Sequence, residues 1–218
     1  MKKKLQKLIV FGLAVSMMVA ATVMGTIAYL TDTQEVTNTF TVGKVDIWLH
    51  ETDVDLMGQP VGNNVHTGWG NQYHLLPGQT YTKDPTVTVV NGSEESYIRL
   101  IVEITDLADV KAVFGEDFLP QNFVEGWEPT VWVSTGNVTV ENNTATYEFR
   151  YKEAVKPDGT NLVLPALFQS FTVPGTVTGP QLATLTEMKI KVTAHAIQTA
   201  TFDSADAAWA AFDAQINA

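Results

Sequence analysis

The feature that most constrains the fold of this chain is a strict alternation of apolar and polar residues near its C-terminal end. Met188, Ile190, Val192, Ala194 and Ala196 alternate with Glu187, Lys189, Lys191, Thr193 and His195. Successive side chains of a β-strand point to opposite faces, so a repeat of two residues indicates a strand with one buried face. Such a strand needs a sheet of similar strands beside it.

Other segments provide those strands. Ile98, Leu100, Val102 and Ile104 form one apolar face, and Tyr97, Arg99 and Glu103 are expected to face outward. The segment from Thr86 to Val90 ends at the turn dipeptide Asn91-Gly92. Further candidates are Val45 to Leu49, Val131 to Ser134, Val138 to Glu141, Thr146 to Tyr151 and Phe168 to Val173. Roughly eight strands without an alternating βαβ pattern predict an all-β fold, an antiparallel jelly-roll-like β-sandwich.

Two short peripheral helices are also predicted. The first runs from Leu107 to Phe114, capped by Thr105 or Asp106 and stopped by Gly115. The second is C-terminal, from Ala205 to Asn217, with Ser204 as its cap. Its residues Ala205, Trp209, Phe212 and Ile216 share one face, which is expected to pack on the sandwich.

The N-terminal region has the features of an export signal. Lys2, Lys3, Lys4 and Lys7 precede an uncharged, mostly apolar run from Leu8 to Ala21. Thr26 and Ala28 are small residues at the positions that a signal peptidase recognises, which predicts cleavage between Ala28 and Tyr29. Residues 1–28 are thus a predicted signal peptide, and the mature protein is expected to be secreted, in the extracellular matrix or at the cell surface. The alternative is an uncleaved membrane anchor, because the uncharged run continues to Leu30.

Two blocks carry a family resemblance. The first is Gly25 to Asp32 followed by Thr39 to Ile47; the second joins Leu76-Pro77-Gly78-Gln79-Thr80 to Val87 to Ser93 and Tyr97-Ile98-Arg99. Both resemble the TasA/camelysin family of Gram-positive bacteria. The resemblance implies a SipW-type signal peptidase as a partner during export, membrane contact only through the signal before cleavage, and one TasA-like sandwich domain over residues 43–218. It also implies fibre-forming biofilm matrix subunits, in which the N-terminal strand of one subunit completes the sheet of the next.

Residues 29–42 are the candidate donor strand. Leu30, Val36, Phe40 and Val42 are assigned to one face, threonines occupy the other, and no proline interrupts the segment. Self-association into fibres by donor-strand exchange is therefore the expected assembly. The alternative is a monomer in which this strand completes its own domain.

Composition excludes several functional classes. The chain has 13 basic and 24 acidic residues, and four of the basic ones lie in the signal segment. An acidic protein of this kind is not expected to bind nucleic acid, which requires basic groups against the phosphates. There is no cysteine, so disulfides and thiolate metal sites are excluded.

The sequence contains neither a Gly-x-Ser-x-Gly nucleophile elbow nor a phosphate-binding glycine loop. His50-Glu51 begins the helical zinc-peptidase motif, but the position of the second histidine is occupied by Val54. We therefore expect a non-enzymatic protein without a catalytic residue or a cofactor. A camelysin-like extracellular metallopeptidase is the alternative that the resemblance leaves open. His195 is expected to be a surface or inter-sheet histidine.

The long loop between Asp53 and Gln79 contains the only metal candidates that we identify. Asp53, Asp55, His66 and His74 would have to approach one another, and their spacing matches no known metal loop. Solvated loop residues are the more common outcome. Trp48, Trp69, Trp127 and Trp132 would line a glycan groove in a cell-surface glycan-binding module, a third alternative, although tryptophans on strands usually belong to the core.

Overall fold

A computed structural model describes residues 43–63, 65–185 and 188–216. The predicted signal peptide with Thr26, Ala28 and Tyr29 lies outside the described residues. The candidate donor strand with Leu30, Val36, Phe40 and Val42 also lies outside them. The described residues from Gly43 onward belong to one compact unit.

Strands predominate among the described residues, with 36% of them in strands and 16% in helices. The described strands are β1 (Ile47–Thr52), β2 (His66–Thr67), β3 (Thr80–Thr82), β4 (Thr86–Val89), β5 (Ser96–Ile104), β6 (Val124–Glu125), β7 (Trp132–Glu141), β8 (Thr144–Tyr151), β9 (Leu162–Val163), β10 (Ser170–Thr172) and β11 (Ile190–Gln198). The described helices are α1 (Leu107–Phe114), α2 (Pro120–Phe123), α3 (Gly179–Leu182) and α4 (Ala205–Ile216).

These strands form three antiparallel sheets. Their orders are β2-β1-β4-β9, β3-β10-β6 and β11-β5-β8-β7. The all-β sandwich with a C-terminal helix that the alternation predicts is confirmed. The predicted segments Val131 to Ser134 and Val138 to Glu141 form the single strand β7, with an irregular register between Ser134 and Val138.

The main core lies beneath β5. Its residues Ile98, Leu100, Val102 and Ile104 are each no more than 1% exposed, as their alternation predicts. β11 pairs with β5 over its whole length, which places Ala194 opposite Leu100. Trp132 is fully buried in the same core, and its indole Nε1 donates a hydrogen bond to Pro165 O. A smaller cluster lies around Tyr81 and Phe171.

The turns explain two strand ends. β4 stops before Asn91-Gly92, and Gly92 has a φ of 84°, a conformation that glycine adopts without strain. β7 and β8 are joined by Asn142 and Asn143, which both have positive φ. Two such residues make the tight hairpin turn whose twist matches that of the flanking strands.

Helix α1 has the predicted bounds but a different cap. Asp106 has a left-handed conformation and makes no side-chain capping bond. Asn143 from the β7–β8 turn caps the helix, because its carbonyl oxygen accepts a hydrogen bond from Leu107 N and its side-chain oxygen accepts one from Ala108 N. The cap comes from a residue distant in sequence, so the local pattern could not identify it. Gly115 ends the helix as predicted.

Candidate functional site

The loop candidates for a metal site do not converge. The Asp55 carboxylate accepts hydrogen bonds from the backbone of Met57 and Gln59, which orders a local turn. His74 is exposed, and its backbone N donates to Leu56 O. The backbone N of Asp53 donates a hydrogen bond to Val65 O at 2.9 Å. Within residues 43–63, 65–185 and 188–216, no group of three or more histidine, aspartate or glutamate side chains could hold a metal ion.

His66, the remaining loop candidate, lies beside a histidine of β1. Its ring centroid is 4.8 Å from that of His50, in an edge contact. His50 and Glu51 are neighbours in strand β1, so their side chains point to opposite faces. The two residues therefore do not form the metal ligand and base of a helical zinc-peptidase site.

Glu51 belongs to a buried ion pair. Its Oε1 lies 2.6 Å from Lys83 Nζ, and the two side chains are 9% and 7% exposed. Asn71 Nδ2 contacts the other carboxylate oxygen at 3.5 Å and donates to Thr52 O at 2.9 Å. Burial, together with the negative charge of Glu51, raises the pKa of the nearby Tyr73 hydroxyl, which donates a hydrogen bond to Thr82 O. This cluster joins β1 to the segment between β3 and β4.

A second charged cluster fixes helix α4 to the outer face of β5 and β11. Arg99 is only 3% exposed, although the alternation predicts an outward position. Its guanidinium lies 4.5 Å from the ring centroid of Trp209 and also binds the Asp213 carboxylate through both terminal nitrogens. Arg99 Nε donates to His195 Nδ1 at 3.2 Å. The face is outward with respect to the sandwich, as predicted, but the helix covers it.

The electrostatics of this cluster favour a neutral histidine and a charged Asp213 carboxylate. Burial and the positive charge of Arg99 lower the pKa of His195, against the opposing effect of Asp213 and Glu148. The hydrogen bond from Arg99 lowers the pKa of Asp213. Trp209 is buried, as expected for the apolar face of the helix, whereas Ile216 is 60% exposed and does not pack on the sandwich. The cluster therefore attaches helix α4 to the sheet.

The third feature is the outer edge of the sheet β11-β5-β8-β7. Among the described residues, β11 pairs with β5 alone. The backbone groups on the opposite edge of β11 have no strand partner among these residues. Ile190, Val192, Ala194 and Ala196 face the main core but are only partly buried. β1, whose Ile47 and Leu49 are likewise partly buried, runs close to this edge. The core is thus less covered at β11 than beneath β5.

The tryptophans divide into two groups. Trp127 packs against the main core and donates a hydrogen bond to Trp132 O at 2.8 Å, so these two are not available for a glycan groove. Trp48 is 56% exposed and Trp69 is 99% exposed. The expectation that strand tryptophans belong to the core is wrong for Trp48. It lies on β1, with its side chain on the face opposite Ile47 and Leu49.

None of the described helices is both long enough and apolar enough to span a membrane. Comparisons with family models, with curated proteins and with solved structures find no significant match to this chain.

Proposed function

We propose that this protein is a secreted structural subunit of an extracellular biofilm matrix, assembling into fibres by donation of an N-terminal strand. One observation carries the proposal: the edge of β11, which has no strand partner among the described residues and is flanked by half-buried core side chains. An extended peptide that adds to such an edge gains backbone hydrogen bonds and covers alternate side chains.

The candidate donor strand suits this edge in length and pattern. Residues 29–42 are more numerous than the nine residues of β11, and they include an uninterrupted threonine-rich segment without proline. Burial of Leu30, Val36, Phe40 and Val42 would contribute at most about 1.5–3 kcal/mol each, before the cost of ordering the segment. The sum is sufficient to hold subunits together. The resemblance to the TasA/camelysin family supports the same assembly.

The sharpest test separates donor from acceptor. A variant lacking residues 29–42 should be a folded monomer that forms no filaments in electron microscopy. A synthetic peptide of residues 29–42 should bind this variant with one-to-one stoichiometry in calorimetry. The same peptide with Val36→Asp should not bind, because it would bury an unpaired carboxylate. The matched Thr37→Asp peptide, altered on the opposite face, should bind almost as well as the original.

Three results would contradict the proposal or change it. Filaments that persist in the deletion variant would show that another surface mediates assembly. Equal binding of the two aspartate peptides would exclude burial of the Val36 face. A full-length protein that stays monomeric, while the deletion variant unfolds, would show that the strand completes its own domain.

Exposed tryptophans favour one other function, that of a cell-surface glycan-binding module. Trp69 is almost fully exposed, and its indole offers a large apolar face on which the ring of a sugar could pack. Saturable binding to cell-wall polysaccharide that is lost in Trp69→Ala and retained in Trp127→Phe would support this function. Binding that is unchanged in Trp69→Ala would exclude this residue from the role.

A further inference from the structure

His50 and His66 form a pair on one face of the sheet β2-β1-β4-β9. The register places His66 opposite Thr52, and His50 lies two residues before Thr52 on the same face of β1. Residues in this diagonal relation are within reach of each other across an antiparallel pair. The rings meet edge to face, with 4.8 Å between their centroids and 60° between their planes.

One nitrogen of His50 has a partner and the other has none. Nε2 lies 3.0 Å from the hydroxyl oxygen of Thr88, which is itself buried. Nδ1 is inaccessible to solvent and has no hydrogen-bond partner among the described residues. A buried polar atom without a partner is rare because it loses its water without compensation. If Nε2 carries the proton and donates it to Thr88, Nδ1 presents a lone pair.

This arrangement is that of a metal-binding histidine. Such a residue typically donates the hydrogen of one ring nitrogen to a protein acceptor, which orients the ring and leaves the other nitrogen for the metal. When His50 Nε2 carries the proton, that acceptor is the hydroxyl of Thr88, which lies on the neighbouring strand β4, opposite Trp48 and beside His50. The two nitrogens of the His50 ring, Nε2 beside Thr88 and the unpartnered Nδ1, therefore match the two roles that ring nitrogens have in a metal-binding histidine.

A carboxylate lies close to the pair. The Asp84 carboxylate accepts hydrogen bonds from Thr52 N at 2.7 Å and from its hydroxyl at 2.6 Å, which fixes a negative charge beside the pair.

We propose that Nδ1 of His50 and the ring of His66 bind a divalent transition-metal ion of the Cu²⁺, Ni²⁺ and Zn²⁺ type, which enters as the exposed His66 ring turns. Two metal–nitrogen bonds of about 2.0–2.1 Å require ring nitrogens no more than about 4 Å apart, which rings at 4.8 Å between centroids can provide. His66 is exposed, so its ring can turn towards the ion. The site shares only His66 with the loop group that the sequence suggests.

The site would stabilise the loop between β1 and β2. These strands are joined by only two register pairs, Glu51↔Thr67 and Thr52↔His66. Within the loop, Asp53 N donates to Val65 O, and Val61 N donates to Asp53 O. A metal bridge from His50 to His66 would add a cross-link at the base of this loop. Among the described residues no group of three histidine, aspartate or glutamate side chains could hold the ion, so the two rings are the protein ligands that we assign.

Calorimetric titration of the untagged protein with CuCl₂, NiCl₂ and ZnCl₂ at pH 7.5 tests the site. We expect one equivalent of metal to bind, most tightly for Cu²⁺, which forms the strongest complexes with imidazole among these ions. His66→Ala should weaken binding by at least about tenfold, in the range seen when groups around a metal are lost. His50→Ala should have the same effect. The matched control His74→Ala, at another exposed histidine, should bind like the wild type.

A second measurement guards against misfolded variants. His66→Ala alters an exposed side chain, so its circular dichroism and urea midpoint without metal should match those of the wild type. With metal, the midpoint of the wild type should rise and that of His66→Ala should not. Absence of stoichiometric binding, binding that survives His66→Ala, or binding that is lost in His74→Ala would each overturn the proposal.

Discussion

Two cations are buried in the part of the chain that the structure describes, Lys83 and Arg99, and they are compensated in different ways. Among these residues Lys83 forms an ion pair with Glu51 alone, and both side chains are withdrawn from water. Arg99 contacts Asp213, Glu148 and His195 and lies over the ring of Trp209. The planar guanidinium can bind several groups at once, whereas an ammonium acts as a compact point charge.

The two clusters also differ in what happens to the carboxylate when its cation is removed. The Asp213 side chain is 46% exposed and can return to water, but the Glu51 side chain is 9% exposed and cannot. Removal of one partner of a buried pair is costly because the other charge stays buried. We therefore expect removal of Lys83 to lower the free energy of unfolding more than removal of Arg99.

The largest effect is expected for Lys83→Met. The substitution keeps an unbranched side chain one atom shorter but leaves the Glu51 carboxylate without its cation, which should lower the free energy of unfolding by about 3–5 kcal/mol. Urea denaturation followed by circular dichroism measures this loss. The double variant Lys83→Met/Glu51→Leu should recover most of it, because no unpaired charge remains. A double variant as unstable as the single one would show that the pair itself is stabilising.

Arg99→Met should have a smaller effect, of about 2–3 kcal/mol, because Asp213 becomes solvated and Glu148 keeps Arg150 as a partner. The helix α4 should detach from the sheet, which a red shift of Trp209 fluorescence would report against a Trp209→Phe reference. Arg99→Lys should restore less than half of the loss, since lysine cannot bind both carboxylate oxygens and stack at once. Full recovery of the stability in Arg99→Lys would show that Arg99 acts through its charge alone.

A pH dependence distinguishes the two clusters further. The folded-state pKa of His195 lies below its ordinary value of 6.5, so the unfolded chain binds a proton first as the pH falls. Stability should therefore decrease below about pH 6.5. His195→Gln should reduce this decrease, whereas the exposed control His74→Gln should not. Asp213, with a lowered pKa, adds a further loss at more acidic pH, as its carboxylate becomes protonated.

The smallest effect is expected at the exposed end of the Arg99 cluster. Asp206 pairs with Arg150, but its side chain is 89% exposed. Exposed ion pairs contribute about 0–1 kcal/mol, so Asp206→Asn should change the urea midpoint only slightly. A loss comparable with that of Arg99→Met would mean that the helix is held mainly by its N-terminal end.

The sequence determines much of this protein without a structure. The alternation in β5 and β11 predicts both strands and their buried faces, and Leu107 to Phe114 predicts helix α1 with its bounds. These features are local, because the period of a strand or helix is repeated within a few residues. Ser204 was likewise identifiable as a cap, and its hydroxyl accepts a hydrogen bond from Ala207 N.

The features that only the tertiary structure decided join residues far apart in the chain. Glu51 and Lys83, His50 and His66, and Arg99 and Asp213 each meet across different elements. The alternation predicts that Arg99 faces outward from the sandwich, and it does, yet the residue is buried because helix α4 covers that face. Whether an outer face meets water depends on elements that are distant in sequence. Periodicity reports the direction of a side chain relative to its own strand, and the neighbours it meets there are set by the packing of the whole fold.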